Sequence, residues 1–178
     1  MYNNSIYVIG LMSGTSLDGV DICLVSFNKS DYTNYNILYA KTFGYNKIWI
    51  KKLKEAVLLN NKQLDRLDND YGKLLSDYVK QFINEFNISK VDLISSHGHT
   101  IFHQPNKGIT LQIGDGKTIN KNTKIKRPRL LGAFKYFELL NELLFSLVKI
   151  YSSCAILNTR SSLKTSRYST SFNAIVSF

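Results

Sequence analysis

Between residues 10 and 21 the chain reads GLMSGTSLDGVD, a stretch whose residue types suit the holding of phosphate. A phosphate-binding turn needs closely spaced backbone N–H groups with no side chains in the way, which Gly14 and Gly19 provide. It gains from hydroxyls that donate to phosphate oxygens, here Ser13, Thr15 and Ser16. A nearby carboxylate can hold a Mg²⁺ ion bridging two phosphates, and Asp18 and Asp21 are available. The same composition also fits a plain polar hairpin turn, because turns favour Gly, Ser, Thr and Asp. It is not a Walker A loop, since no Gly-Lys-Ser/Thr follows and no helix opens after it. Further on, His97, His99 and His103 share parity on an extended segment, so a metal site is conceivable. No Cys or carboxylate stands nearby to complete one, and histidines in polar loops are common.

The flanking elements must position these residues. Ile6 to Met12 and Val20 to Phe27 are apolar runs of β-type residues. Asp18-Gly19 between them is a hairpin signal, because Gly accepts positive φ and Asp tolerates it. A third strand is expected over Tyr35 to Phe43, completing a three-strand meander. Leu64, Leu67, Tyr71, Leu74, Leu75, Tyr78, Val79, Phe82, Ile83 and Phe86 then recur at three- and four-residue steps, which predicts a long helix closed by Asn87. Its aromatics Tyr71, Tyr78, Phe82 and Phe86 read as core at that spacing rather than as a binding groove. Val91 to Ser95 reads as a buried strand. The predicted fold class is thus α/β, an α+β mixed sheet. The order β-β-β-α-β resembles the ribonuclease-H-like lobe of the actin, hexokinase and Hsp70 group, although many α+β domains open this way.

The 178 residues carry a net charge of +10. Residues 1–120 contribute a net of about +2 and residues 121–178 about +8, the latter with only Glu138 and Glu142 as acids. The basicity belongs to the last third. A nucleic-acid binder would rest on that charge alone, with no recognition motif beside it, so no nucleic-acid partner is expected. Cys23 and Cys154 lie far apart without metal-type spacing, which favours a reducing compartment. The N-terminus lacks the pattern of a signal peptide. The apolar region from Leu130 to Tyr151 is interrupted by Lys135, Glu138, Glu142 and Lys149, too charged to span a bilayer. A cytoplasmic protein without a membrane partner is the expectation.

GLMSGTSLDGVD, set between the first two strands, resembles the phosphate-binding hairpin of the anhydro-N-acetylmuramic acid kinases. SSHGHTIFHQP, from Ser95 to Pro105, and TLQIGDGKTI, from Thr110 to Ile119, resemble that family's next two signatures in the same order, covering about residues 5–126. The resemblance implies an ATP-dependent kinase of bacterial cell-wall recycling. Such an enzyme opens the 1,6-anhydro ring of anhydro-N-acetylmuramic acid with water and phosphorylates O6, giving N-acetylmuramic acid 6-phosphate. The resemblance places the ATP contacts on Gly14, Thr15, Ser16, Leu17, Asp18, Gly19, Val20 and Asp21, with Asp18 beside Mg²⁺. It places His97 and Gln104 on the side of the amino sugar. His99 stands where the family usually has Gln, and His can likewise donate or accept a hydrogen bond. Full-length members are expected to form homodimers.

After Ile119 the family continues to a strand and an Asp-Phe-Arg stretch, whose Asp is the general base for the attacking water. Asp115 is the last aspartate of this chain, so no catalytic residue is assigned. The expected organisation is a kinase lobe over 1–120 and a non-matching basic tail over 121–178, poorly packed. Within that tail Phe137, Leu140, Leu144, Leu147 and Val148 share a face of an amphipathic helix over 137–150. A reading-frame shift near residues 124–127 or a lineage-specific tail would each account for the change. Two functions follow: the sugar kinase, or an inactive truncated remnant of it with at most weak nucleotide binding.

Overall fold

The computed structural model describes residues 4–104, 106 and 109–125. The expected helix over 137–150 and the expected poor packing of the tail lie outside the described residues.

Three strands form the meander: β1 (Ser5–Ser13), β2 (Gly19–Asn28) and β3 (Asp31–Gly44). Each pairs antiparallel with the next, Val8 opposite Val25 and Val20 opposite Phe43. After two helices, β4 (Leu93–Ser96) returns beside β1 in parallel, Val8 opposite Leu93. The sheet order β3-β2-β1-β4 is therefore mixed, as the sequence predicts, and it is consistent with a ribonuclease-H-like lobe.

The main helix, α2 (Asn61–Glu85), begins three residues before the first apolar position counted for it, because a capping box sets the start. The Asn60 side chain accepts from the Gln63 N–H while the Gln63 side chain accepts from the Asn60 N–H, which satisfies two donors that the first turn leaves free. Leu67, Tyr71, Leu75, Val79 and Phe82 form its buried stripe, packed on Ile9, Leu11, Ile22 and Leu24 of the sheet. Each such side chain contributes about 1.5–3 kcal/mol on burial. Tyr71 and Phe82 are fully buried, while Tyr78 and Phe86 lie partly buried against the same cluster, which supports the core reading of the aromatics.

Four elements were not expected from the sequence. Helix α1 (Lys47–Glu55) is capped by Asn46 and buries only Leu53. Strands β5 (His99–Gln104) and β6 (Ile109–Ile113) form a separate antiparallel hairpin. Helix α3 (Gly116–Thr123) starts at an Asp115 cap and runs through the boundary expected at 120. The other face of the main sheet holds a second apolar cluster of Val8, Cys23, Val25, Phe27 and Leu93, to which no described helix contributes.

Candidate functional site

Because β1 and β4 are parallel, their carboxyl ends point the same way. Binding sites of open α/β sheets lie at such ends. At the end of β1 stands the turn Gly14–Asp18, and at the end of β4 stand Ser96 and His97, whose N–H donates to the Leu11 carbonyl over 3.0 Å. Thr15, Ser16 and Asp18 are exposed there. The Ser16 hydroxyl donates to Asp18 Oδ1 at 2.6 Å, so a carboxylate and a hydroxyl oxygen lie together, the hard donor set that suits Mg²⁺.

Tyr45 grips both roots of this turn. Its N–H donates to the Asp18 carbonyl at 3.3 Å, and its hydroxyl lies 2.7 Å from Ser13 Oγ. The positive φ within the turn falls on Leu17 (59°), not on Asp18 or Gly19 as a two-residue Asp-Gly hairpin would require. Left-handed backbone costs a non-glycine residue roughly 1–2 kcal/mol; the Leu17 side chain offsets part of it by packing on the main cluster. Gly19 serves a different need from the one read in the sequence. A Cβ there would sit 2.4 Å from the Phe43 carbonyl oxygen, so glycine is what lets β3 close over the turn.

Several expected contributors point elsewhere. Ser13 is 5% exposed and its hydroxyl is engaged by Tyr45 and His99, so it is not turned toward a phosphate. Asp21 alternates onto the face of Cys23 and Val25 and accepts from the Thr42 hydroxyl. Burial holds its carboxyl above the usual range, partly offset by that bond. Val20 is fully buried in the main cluster, so only its backbone is available to a ligand. Cys23, its thiol pushed up to about 12 by burial, is inert beside them.

The histidines separate. A bulge between Thr100 and Phe102 breaks the alternation of β5, so His99 pairs with Ile113 and His103 with Thr110 on the opposite face. His99 is buried and His103 exposed. No three metal-ligating side chains converge among the described residues. His97 is half-buried beside β1, with the Gln112 amide nitrogen 3.1 Å from its Nε2 and also near Thr100 Oγ1. Gln104 lies at the far end of β5, exposed, opposite Ile109. The fold thus brings His97 to the turn's side of the lobe and leaves Gln104 at the hairpin tip. Sequence reasoning missed Tyr45, which stands outside any motif, Tyr71, which reads as part of a helix stripe, and Gln112, which lies in the TLQIGDGKTI stretch without being singled out.

Burial lowers the proton affinity of both His97 and His99. Their unfolded counterparts, near pKa 6.5, take up protons first, so the unfolded state binds more protons as pH falls. Stability should therefore be full above pH 6.5 and decline below it. The raised carboxyls of Asp21 and Asp68 act with the opposite sign, between the ordinary carboxylate range and their raised folded values. Urea midpoints at pH 7.5 and 5.5 check this: a midpoint that does not drop at pH 5.5 contradicts it.

A family model described as anhydro-N-acetylmuramic acid kinase matches residues 6–131. A protein of Shewanella pealeana named anhydro-N-acetylmuramic acid kinase is 40% identical over 129 residues, covering 68% of this chain and 34% of its own. Namesakes from Shewanella denitrificans and Shewanella halifaxensis are 41% and 38% identical, covering 67% and 69% of this chain and 33% and 34% of theirs. The chain spans about a third of the length of these curated relatives. No described helix is long and apolar enough to cross a membrane.

Proposed function

Since the chain belongs to the anhydro-N-acetylmuramic acid kinase family, we propose that it forms the phosphate-binding lobe of an ATP-dependent sugar kinase. The reaction is the opening of the 1,6-anhydro ring of anhydro-N-acetylmuramic acid by water with phosphorylation of O6, in the recycling of cell-wall material in the cytoplasm. The observation that carries this reading is the Gly14–Asp18 turn, held at both roots by Tyr45 at the carboxyl ends of β1 and β4.

In this reading the backbone N–H groups of Gly14 to Gly19 face the phosphates, and Thr15 and Ser16 offer exposed hydroxyls. Val20 and Asp21 act through the β2 backbone that fixes the turn. Asp18, with the Ser16 oxygen, holds Mg²⁺. ATP supplies the phosphoryl group and Mg²⁺ neutralises charge on it. His97, oriented by Gln112, faces the amino sugar, and Gln104 reaches it from the hairpin tip. The nucleotide contacts fall within the lobe over residues 1–120, and residues 121–178 form the basic, non-matching part of the sequence. Homodimerisation belongs to the full-length family.

A second reading, an inactive remnant with weak nucleotide binding, is favoured by one observation. After Asp115 the acids are Glu138 and Glu142, and the Asp-Phe-Arg stretch implied by the resemblance is missing. Titration of the 178-residue chain with MgATP tests the shared part. Asp18→Asn should weaken binding by about 10- to 100-fold, the range seen when groups orienting a metal are lost. Equal affinity of both proteins would remove Asp18 from the site. Incubation with MgATP and anhydro-N-acetylmuramic acid then separates the readings: phosphorylated sugar excludes the remnant, and its absence despite MgATP binding excludes the self-sufficient kinase.

A further inference from the structure

Beneath the turn, four polar side chains from four parts of the chain form a buried hydrogen-bonded series. Tyr71 of α2 lies 2.5 Å from the hydroxyl of Tyr45, which lies 2.7 Å from Ser13 Oγ. Ser13 Oγ in turn lies 2.9 Å from His99 Nδ1. Tyr71 is fully buried, His99 is 3% exposed and Ser13 5%. No buried side-chain nitrogen or oxygen among the described residues lacks a partner.

We propose that His99 is a positioning residue for the Gly14–Asp18 turn: accepting at Nδ1, it fixes the Ser13 hydroxyl and with it the direction in which β1 leaves the sheet. The inference rests on the phosphate-binding reading of that turn for its functional consequence.

The direction of the series sets which tautomer of His99 the positioning role requires. Each hydroxyl has one to give, and Tyr71 finds its hydrogen-bonding partner in Tyr45. If Tyr71 donates to Tyr45, Tyr45 to Ser13 and Ser13 to His99 Nδ1, every hydroxyl proton is used. That order requires an unprotonated Nδ1 and a protonated Nε2. With a proton on Nδ1 the imidazole donates to Ser13 Oγ instead, and the hydroxyls of Ser13, Tyr45 and Tyr71, which bond one another, reverse their order. Protonating His99 removes the acceptor that Nδ1 offers to Ser13, the residue immediately before the turn.

The groups facing His99 are Ser13 from β1, Tyr71 from α2 and the neighbouring His97, with Tyr45 one bond further along the series. Asp18, on the turn itself, acts electrostatically on Tyr45. Of these, His97 is the one that titrates in the same range as His99, so His97→Gln serves as the background in the pH experiment.

The test uses the full chain without any ligand. Long-range ¹H–¹⁵N spectra should show His99 at pH 7.5 as the Nε2–H tautomer; an Nδ1–H tautomer overturns the proposal even if no variant folds. Amide hydrogen exchange at Thr15 to Asp18, corrected for intrinsic rates, should be about tenfold faster in His99→Leu, the loss of one net hydrogen bond. His99→Gln, whose amide oxygen can accept from Ser13, should restore it. In the His97→Gln background, lowering the pH from 7.5 to 5.5 should speed turn exchange beyond the global change, and His99→Gln should abolish that. Equal turn exchange in His99→Leu and the parent, or failure of Gln to rescue, refutes the positioning role. MgATP affinity, measured separately, should fall in His99→Leu and recover in His99→Gln. If no form binds MgATP, the phosphate reading fails while the exchange data still decide the role of His99.

Discussion

Gly98→Ala should lower the melting temperature of this lobe by more than about 10 °C. Gly98 has φ of +69°, and an added Cβ would lie 2.4 Å from the Ile113 carbonyl oxygen. That oxygen is backbone within the β5–β6 ladder, where His99 pairs with Ile113, so it cannot turn aside as a side chain would. Forced contacts of this kind cost about 1–3 kcal/mol, and the left-handed backbone adds of the order of 1 kcal/mol. At about 4–8 °C per kcal/mol for a domain of this size, the shift is large. Gly116→Ala is the matched control, since its Cβ would meet nothing within 4 Å. Thermal unfolding followed by circular dichroism reads both. Equal melting temperatures for the two variants would contradict the close approach at Gly98.

Tyr71→Ala should cost more still, about 4 kcal/mol in urea unfolding, the range for large aromatic-to-alanine changes in a core. Tyr71 is fully buried, and its ring meets Tyr45, Trp49 and His99. The substitution leaves a cavity between α2 and the end of β3. Tyr71→Phe keeps the ring and removes the hydroxyl, so it should cost only about 1 kcal/mol, the net value of one hydrogen bond. The two variants divide the residue's role into packing and polar parts. A Phe variant as unstable as the Ala variant would mean that the hydroxyl series, not the ring, holds this corner.

The meander was legible because Ile6 to Met12 and Val20 to Phe27 are apolar runs with few competing patterns. Helix α2 was legible from its stripe. Its start was also written in the sequence, as Asn60 followed by Gln63, but apolar periodicity does not see a capping box. Helix α1 stayed hidden because it buries one residue, Leu53, and presents lysines around the rest. The β5–β6 hairpin stayed hidden because its bulge at Ile101 disrupts the period of two and because its residues are mostly half-buried.

The place of the Gly14–Asp18 turn was legible, because it depends on backbone and residue type. The site was not legible where direction decides. Ser13 and Ser16 look equivalent in sequence, yet one hydroxyl turns into the core and the other to solvent beside Asp18. Asp18 and Asp21 differ likewise, because pleating sends Asp21 to the far face of the sheet. The aromatic grip of Tyr45 on the turn depends on a contact across 32 residues that no local pattern announces.

The bond from Ser13 to His99 joins residues 86 apart in the chain, and β1 meets β4 over a similar separation. The β1–β2 and β2–β3 pairings, by contrast, join near neighbours in sequence. Contacts between distant segments form only after the entropy of closing the long intervening loop has been overcome, so they tend to come late and slowly. During synthesis, which releases about 5–20 residues per second, the turn emerges seconds before the histidine that holds its root. The meander can close early, but its Gly14–Asp18 turn acquires a fixed direction only when β4 and β5 have docked. The candidate site is therefore among the last parts of this lobe to exist as the chain folds.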